Sequence, residues 1–299
     1  MKLLAAVLAG LILSCPAVAK EPERPHITGI AGVRIHVSNL EAARAFYGEF
    51  LETVRPCVWC GNINSPFGSV YFAYNDQFVI VDSAPSADAT DLLQEIDFFT
   101  DSVPALRRYL VSKHVVVSPA LKDEPDDHLV THDPEGHQIT FVSRRPKART
   151  RETDGPVMKI IHAGFIVRDR EAEDKFYKDI LGFHVYWHGG MKDDVTDWLD
   201  MQVPDGGDWI EYMLNVLPTA DQHLRGVMNH FALGVPDIEA AAYRIHKNGM
   251  KLTEEPKIGR DGKWQLNVYD PDDTRIEFME FTPVEKPCCS EFTGPHPKP

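Results

Sequence analysis

Val33-Arg34-Ile35-His36-Val37-Ser38-Asn39-Leu40-Glu41-Ala42-Ala43-Arg44-Ala45-Phe46-Tyr47 reads as an apolar strand, a polar turn and an amphipathic helix that carries Phe-Tyr. Gly164-Phe165-Ile166-Val167-Arg168-Asp169-Arg170-Glu171-Ala172-Glu173-Asp174-Lys175-Phe176-Tyr177 reads the same way. The two Phe-Tyr pairs lie 130 residues apart (176 − 46), and Leu51 and Leu181 follow at the same offset. A shorter version occurs once more in each half. Phe98-Phe99-Thr100-Asp101-Ser102-Val103-Pro104-Ala105-Leu106 is a strand running into a helix, and so is Phe231-Ala232-Leu233-Gly234-Val235-Pro236-Asp237-Ile238-Glu239-Ala240-Ala241, with Asp237 as its N-cap. Each half closes on an Asp-Pro turn and a strand: Asp133-Pro134 before Ile139-Thr140-Phe141-Val142, and Asp270-Pro271 before Arg275-Ile276-Glu277-Phe278-Met279. The pattern predicts four units, each a strand, a helix and then a run of strands.

Lys2, the apolar run Leu3–Leu13 and the small-x-small site Ala17-Val18-Ala19 read as a secretory signal peptide over residues 1–19. Ile12-Leu13-Ser14-Cys15 is the competing reading, a lipoprotein box with Cys15 as the anchor. The chain is therefore expected to be exported, to the periplasm or outside the cell, with no membrane span once processed. Removing 19 of the 299 residues leaves 280, enough for two domains that each bury a core. We expect domains at 28–145 and 158–283, a charged, Thr- and Pro-containing linker at 146–157, and an extended, weakly ordered tail at 284–299. The net charge of −14 speaks against nucleic acid or an anionic membrane and fits a small-molecule partner. Cys57, Cys60, Cys288 and Cys289 remain in the processed chain, where export allows oxidation. Cys57-Val58-Trp59-Cys60 has C-x-x-C spacing, but no thioredoxin-like pattern surrounds it.

Four βαβββ units in two pairs, with these strand-turn-helix and Asp-Pro signatures over residues 28 to 282, resemble the vicinal oxygen chelate superfamily of glyoxalase I, extradiol dioxygenases, epimerases and bleomycin-resistance proteins. The resemblance implies an α+β fold in which tandem βαβββ units form two cup-shaped mixed sheets with helices packed outside.

Four polar residues stand among apolar strand neighbours in the C-terminal half: His162, Glu211, His230 and Glu277. A single strand His or Glu is ordinarily a hydrogen-bonded or solvated residue. Here the spacing is regular, 49 from His162 to Glu211 and 47 from His230 to Glu277, so each unit offers a His from its first strand and a Glu from its last. Two imidazoles with one or two carboxylates suit one divalent ion, Zn, Ni, Fe, Mn or Co. In the resembling family these four slots are ligand positions, the second, Glu211, being the most variable. Glu211 or Glu277 would also serve as the base that moves a proton.

The N-terminal half aligns Gly32, Ile80, Glu95 and Thr140 with those slots, so it is expected to lack the ligand set. The resemblance implies a metal-dependent lyase or isomerase of glyoxalase or epimerase type acting on a small oxygenated substrate. One alternative is Fe(II) extradiol dioxygenase chemistry with a His162, His230, Glu277 triad. Against it, the segment Lys263–Pro271 lacks the histidine of the dioxygenase signature. The other is a non-catalytic module that sequesters a ligand between Trp187, Trp198, Trp209, Trp264 and Tyr269. Arg225, Arg260 and Lys263 are candidate cations for an anionic substrate at the cup mouth, or plain loop charges. The two C-terminal units suffice for a cup, so a monomer or a homodimer is expected.

Overall fold

The structure is a computed structural model that describes residues 21–50, 55–56, 70–74, 76–84, 91–120, 127–143 and 159–299. The signal segment with Cys15, the Cys57/Cys60 motif, Leu51 and the 146–157 linker fall outside the described residues.

The first sheet contains β1 (Ile27–Val37), β2 (Arg55–Pro56), β3 (Val70–Tyr74), β4 (Gln77–Ser83), β5 (Leu93–Thr100), β6 (His128–His132) and β7 (Gln138–Ser143). Helix α1 (Leu40–Arg44) runs into a π-helical stretch, Ala45–Phe50, and α2 is Val103–Ser112. The second sheet contains β8 (Lys159–Ile166), β9 (His184–Gly189), β10 (Trp198–Gln202), β11 (Trp209–Met213), β12 (His230–Val235), β13 (Lys257–Ile258), β14 (Trp264–Tyr269) and β15 (Arg275–Glu280). Its helices are α3 (Arg170–Glu173), which also continues as a π-helical stretch, Asp174–Ile180, then α4 (Gln222–Met228) and α5 (Ile238–Lys247).

The strand orders match. The first sheet runs β2-β3-β4-β1-β5-β7-β6 and the second β9-β10-β11-β8-β12-β15-β14-β13. Each has a central antiparallel pair, β1 with β5 and β8 with β12, flanked on both sides by a parallel strand. These are the curled mixed sheets of an α+β fold. Local chemistry sets the element ends. Asn39, Ser102, Asp169 and Asp237 each accept a first-turn backbone N–H of the helix that follows. In the hairpin turns, Asp133 Oδ1 accepts from His137 N at 2.8 Å, and Asp270 Oδ1 from Thr274 N at 2.8 Å.

The two halves do not bury separate cores. One continuous apolar cluster runs from Ile27, Val33 and Phe98 of the first half to Phe165, Tyr212 and Phe278 of the second. Polar bridges cross the same junction: the Gln77 amide donates to Ile30 O and Ile160 O and accepts from Ile160 N, tying β1 to β8. The expectation of independently cored domains is corrected accordingly. An apolar sheet face must be buried against another element, and the apolar residues of the two halves here share one core.

The tail also departs from expectation. It has no regular structure, but it is a strap fastened across the second sheet rather than a weakly ordered end. Thr293 N donates to Tyr186 O (3.0 Å), Gln202 Nε2 to Pro295 O (2.9 Å) and Trp187 Nε1 to Cys288 O (3.2 Å). Phe292 stacks on Tyr186, and Cys288 and Cys289 form a disulfide between neighbours. Proline prevents a helix, but an extended chain can still satisfy its backbone against a sheet.

Candidate metal centre

Strand pairing brings the four polar residues into two adjacent rows on one face of the second sheet. In one row Trp209, His162, Ala232 and Glu277 are successive partners across β11, β8, β12 and β15. In the next, Glu211, Gly164 and His230 are partners across β11, β8 and β12. Each His is thus separated from the Glu in its own row by a small residue, Ala232 or Gly164. A Cβ at Gly164 would lie 2.2 Å from His230 Cε1, so glycine is what lets that ring lie across β8.

The polar atoms converge. His162 Nε2 and His230 Nε2 are 3.1 Å apart. Glu211 Oε2 is 3.2 Å from His230 Nε2 and 4.0 Å from His162 Nε2. Glu277 Oε2 is 3.4 Å from His162 Nε2 and 3.8 Å from His230 Nε2. The ligand atoms of His162, Glu211 and His230 all lie within 4.8 Å of one another, a group able to hold a metal ion. His162, His230 and Glu277 are buried, and the Glu211 side chain is 14% exposed, so the group opens on the Glu211 side.

The donor set fits a divalent ion. Two nitrogens each about 2.1 Å from one ion sit about 3 Å apart at a near-right angle, as here. His230 Nδ1 lies 3.2 Å from Met228 O; donating there, it turns the Nε2 lone pair inward. Burial, then the Arg275 charge, lower the His230 pKa to about 4, which keeps the ring neutral at pH 7. Burial raises the Glu277 carboxyl, but the His162 hydrogen bond and the Arg275 charge outweigh it and bring it to about 2. For Glu211 burial is likewise outweighed, first by its contact with His230 and also by the Arg275 charge, and its pKa falls. Two imidazoles and two carboxylates are a donor set whose negative charge a dication balances.

The surroundings are closed. Trp209 packs against His162 with ring centroids 4.8 Å apart. Behind it Lys263 is fully buried, its Nζ 4.3 Å over Trp209, 5.3 Å from Tyr186 and 5.0 Å from the strap's Phe292. Burial lowers the Lys263 pKa against the raising effect of Asp261 and Asp200. Burial, then the Glu211 charge, hold Asp200 well above the usual carboxylate range.

The three cations singled out in the sequence do not line the mouth. Arg225 donates to Ala220 O and Pro218 O and pairs with Asp91, Arg260 bonds Gly190 O and Asp193, and Lys263 is sealed under the strap. The cation facing the ligand set is one the sequence reading passed over: Arg275 Nη2 donates to His230 Nε2 at 2.6 Å. Arg275 lies two residues before Glu277 on β15, and that spacing puts it on Glu277's face. Of the aromatics proposed to line a cleft, Trp187 and Trp209 are core.

In the first sheet the equivalent rows are Phe78, Gly32, Asp97, Thr140 and Ile80, Arg34, Glu95, Gln138. Arg34 takes the place of Gly164 and pairs with Glu95 (2.6 Å) and Asp82, while Thr140 bonds Glu95. An internal ion-pair cluster stands where the second sheet has its imidazoles.

The second sheet is a curled mixed sheet of paired βαβββ units that brings two imidazoles and two carboxylates together on one face. Residues 159–278 match the Glyoxalase/Bleomycin resistance protein/Dioxygenase superfamily model. Lactoylglutathione lyase of Haemophilus influenzae is 29% identical over 125 residues, covering 41% of this chain and 93% of that protein. Among solved structures, an extradiol ring-cleaving dioxygenase from B. fuscum has a TM-score of 0.64 at 16% identity, covering 86% of this chain and 73% of that one. A catechol 2,3-dioxygenase has a TM-score of 0.64 at 15% identity, covering 91% and 95%. At these identities the structural likeness speaks for the fold alone.

Proposed function

We propose that this protein is a metal-dependent lyase or isomerase of glyoxalase or epimerase type that acts on a small oxygenated substrate. The observation that carries the reading is the meeting of His162, Glu211 and His230, with Glu277 Oε2 3.4 Å from His162 Nε2. These four residues would hold one divalent ion. When bound, it would supply Lewis-acid polarisation of a carbonyl or paired oxygens. The chain's own residues do the rest. Trp209 and the buried strands exclude water behind the set, and the more exposed Glu211 is the carboxylate placed to take a proton from a substrate carbon. The likeness to a lactoylglutathione lyase over 125 residues supports this class.

Fe(II) ring-cleaving dioxygenase chemistry is the second reading. It is supported by a candidate triad, His162, His230 and Glu277, lying in the second of two matched sheets. Sequestration between aromatics is weakened by the burial of Trp187 and Trp209. We also propose export, from the Leu3–Leu13 run and the Ala17-Val18-Ala19 site, and two glyoxalase-like domains over 28–145 and 158–283. Among the described residues no helix is long and apolar enough to cross a membrane.

The test is metal content by mass spectrometry on protein purified without chelators, beside the double variant His162→Ala, His230→Ala. About one ion per chain, lost in the variant, is expected. Iron would turn the reading towards oxygen chemistry, and zinc or nickel towards isomerase or lyase chemistry. No metal in the wild type, even after incubation with divalent ions, would overturn it.

A further inference from the structure

We propose that Arg275 makes this cup selective for an anionic substrate, pairing with a carboxylate next to the oxygens the metal would bind. The inference rests on the metal reading of His162 and His230 given above. Arg275 Nη2 donates to His230 Nε2 at 2.6 Å. With Nδ1 of that ring donating to Met228 O, Nε2 carries a single lone pair. That pair goes either to the Arg275 N–H or to a cation, never to both, so loading the site releases the guanidinium.

The released group has nowhere else to turn. Arg275 Nε is already buried without a hydrogen-bond partner. Among the described residues no carboxylate oxygen lies within 4.0 Å of the guanidinium. Glu211 and Glu277 together carry the charge that a dication cancels, which leaves the guanidinium charge unbalanced at the edge of the ligand set. An uncompensated, part-buried charge is costly, and the planar fork of arginine matches a carboxylate in two-point geometry. A small acid bearing adjacent oxygens, of the 2-oxo or 2-hydroxy carboxylate kind, answers both demands at once: paired oxygens for the metal and a negative charge for Arg275. Arg225, Arg260 and Lys263 are each engaged elsewhere, so of these four cations Arg275 alone faces the set.

The test uses the full chain, metal-free and loaded with zinc, titrated with pyruvate and with methyl pyruvate. Tryptophan fluorescence reads binding and mass spectrometry reads metal content. Loaded wild type is expected to prefer pyruvate about 10- to 100-fold, the worth of a charge-assisted pair. R275Q should keep about one ion per chain and lose most of that preference, and R275K should keep part of it as a point charge. Metal-free wild type should show no preference, because His230 still caps the arginine. A metal-loaded R275Q that prefers pyruvate as strongly as wild type would overturn the proposal. So would a metal-free wild type that already prefers it, an observation that needs no variant to fold. Loaded wild type binding both probes equally would sink this proposal and leave the metal reading standing. Wild type that takes no metal would end both.

Discussion

Tyr47 of the first half donates its hydroxyl to Asp270 of the second, Oη to Oδ2 at 2.9 Å, and the relation is returned by Tyr177 of the second half and Asp133 of the first at 3.2 Å. Each Phe-Tyr helix therefore docks on the Asp-Pro turn of the other half. Tyr47 and Tyr177 are buried, so these bonds lie in low dielectric. Burial raises the Asp270 carboxyl to about 6 despite bonds from Thr274 N, Tyr47 and Asp272 N. Tyr47→Phe and Tyr177→Phe should each cost about 1–3 kcal/mol, the range for leaving a buried acceptor short of a donor. Urea denaturation of the single and double variants checks this. Wild-type midpoints in both single variants would refute the idea that the crossed pairs lock the halves.

Gly164 is the contact point that admits the His230 ring. Gly164→Ala should displace that ring and weaken metal binding about 10- to 100-fold while leaving far-UV circular dichroism unchanged. Isothermal titration with zinc measures it. Undiminished affinity would mean that His230 does not need the space above β8.

His230 is held neutral down to about pH 4 by burial and the Arg275 charge. Protons should then compete with metal at this ring only below about pH 4.5, whereas an ordinary imidazole near 6.5 would lose about 30-fold in availability by pH 5. The His230 contribution to affinity should thus change little between pH 7 and 5. A metal-binding titration across that range, compared with His162→Ala, separates the two rings, and a steep fall assigned to His230 would contradict the assignment.

Glu173 is fully buried beside the crossed Tyr177–Asp133 pair, and burial, then the Asp133 charge, raise its carboxyl to about 9. In the window from 4.5 to about 9 the folded state holds a proton that the unfolded chain has lost. Stability from this group is therefore complete below 4.5 and drains away as pH rises, by up to about 1.4 kcal/mol per unit. Glu173→Gln cannot titrate, so its stability should fall less steeply than wild type from pH 5 to 9. Parallel denaturation profiles for the two proteins would refute a protonated Glu173.

Phe292 anchors the strap on Tyr186 and over Lys263. Phe292→Ala should cost about 1–3 kcal/mol, less than a full core aromatic because the ring is only half-buried. Deleting residues 287–299 should cost more and uncover Trp209, read as a red shift of tryptophan emission. An unshifted spectrum would mean the strap is not what shields the tryptophan.

The sequence by itself determined the local pieces. Alternating apolar runs, Asn39, Asp169 and Asp237 as caps, and the two Asp-Pro turns act within a few residues of themselves, so they can be read without the fold. Regular spacing also exposed the four polar residues of the second sheet. Only the tertiary structure decided what those pieces meet. Whether Glu211 faces His230 depends on Gly164 standing between them, and that follows from pairing β8 with β12 across 66 residues (230 − 164). The Tyr47–Asp270 contact spans 223 residues, and the strap reaches from Phe292 back to Tyr186. Only the fold sets the strand residue Arg275 against the His230 imidazole. Periodicity and capping are short-range effects of backbone geometry, whereas strand partners and buried charges are chosen by the packing of the whole chain.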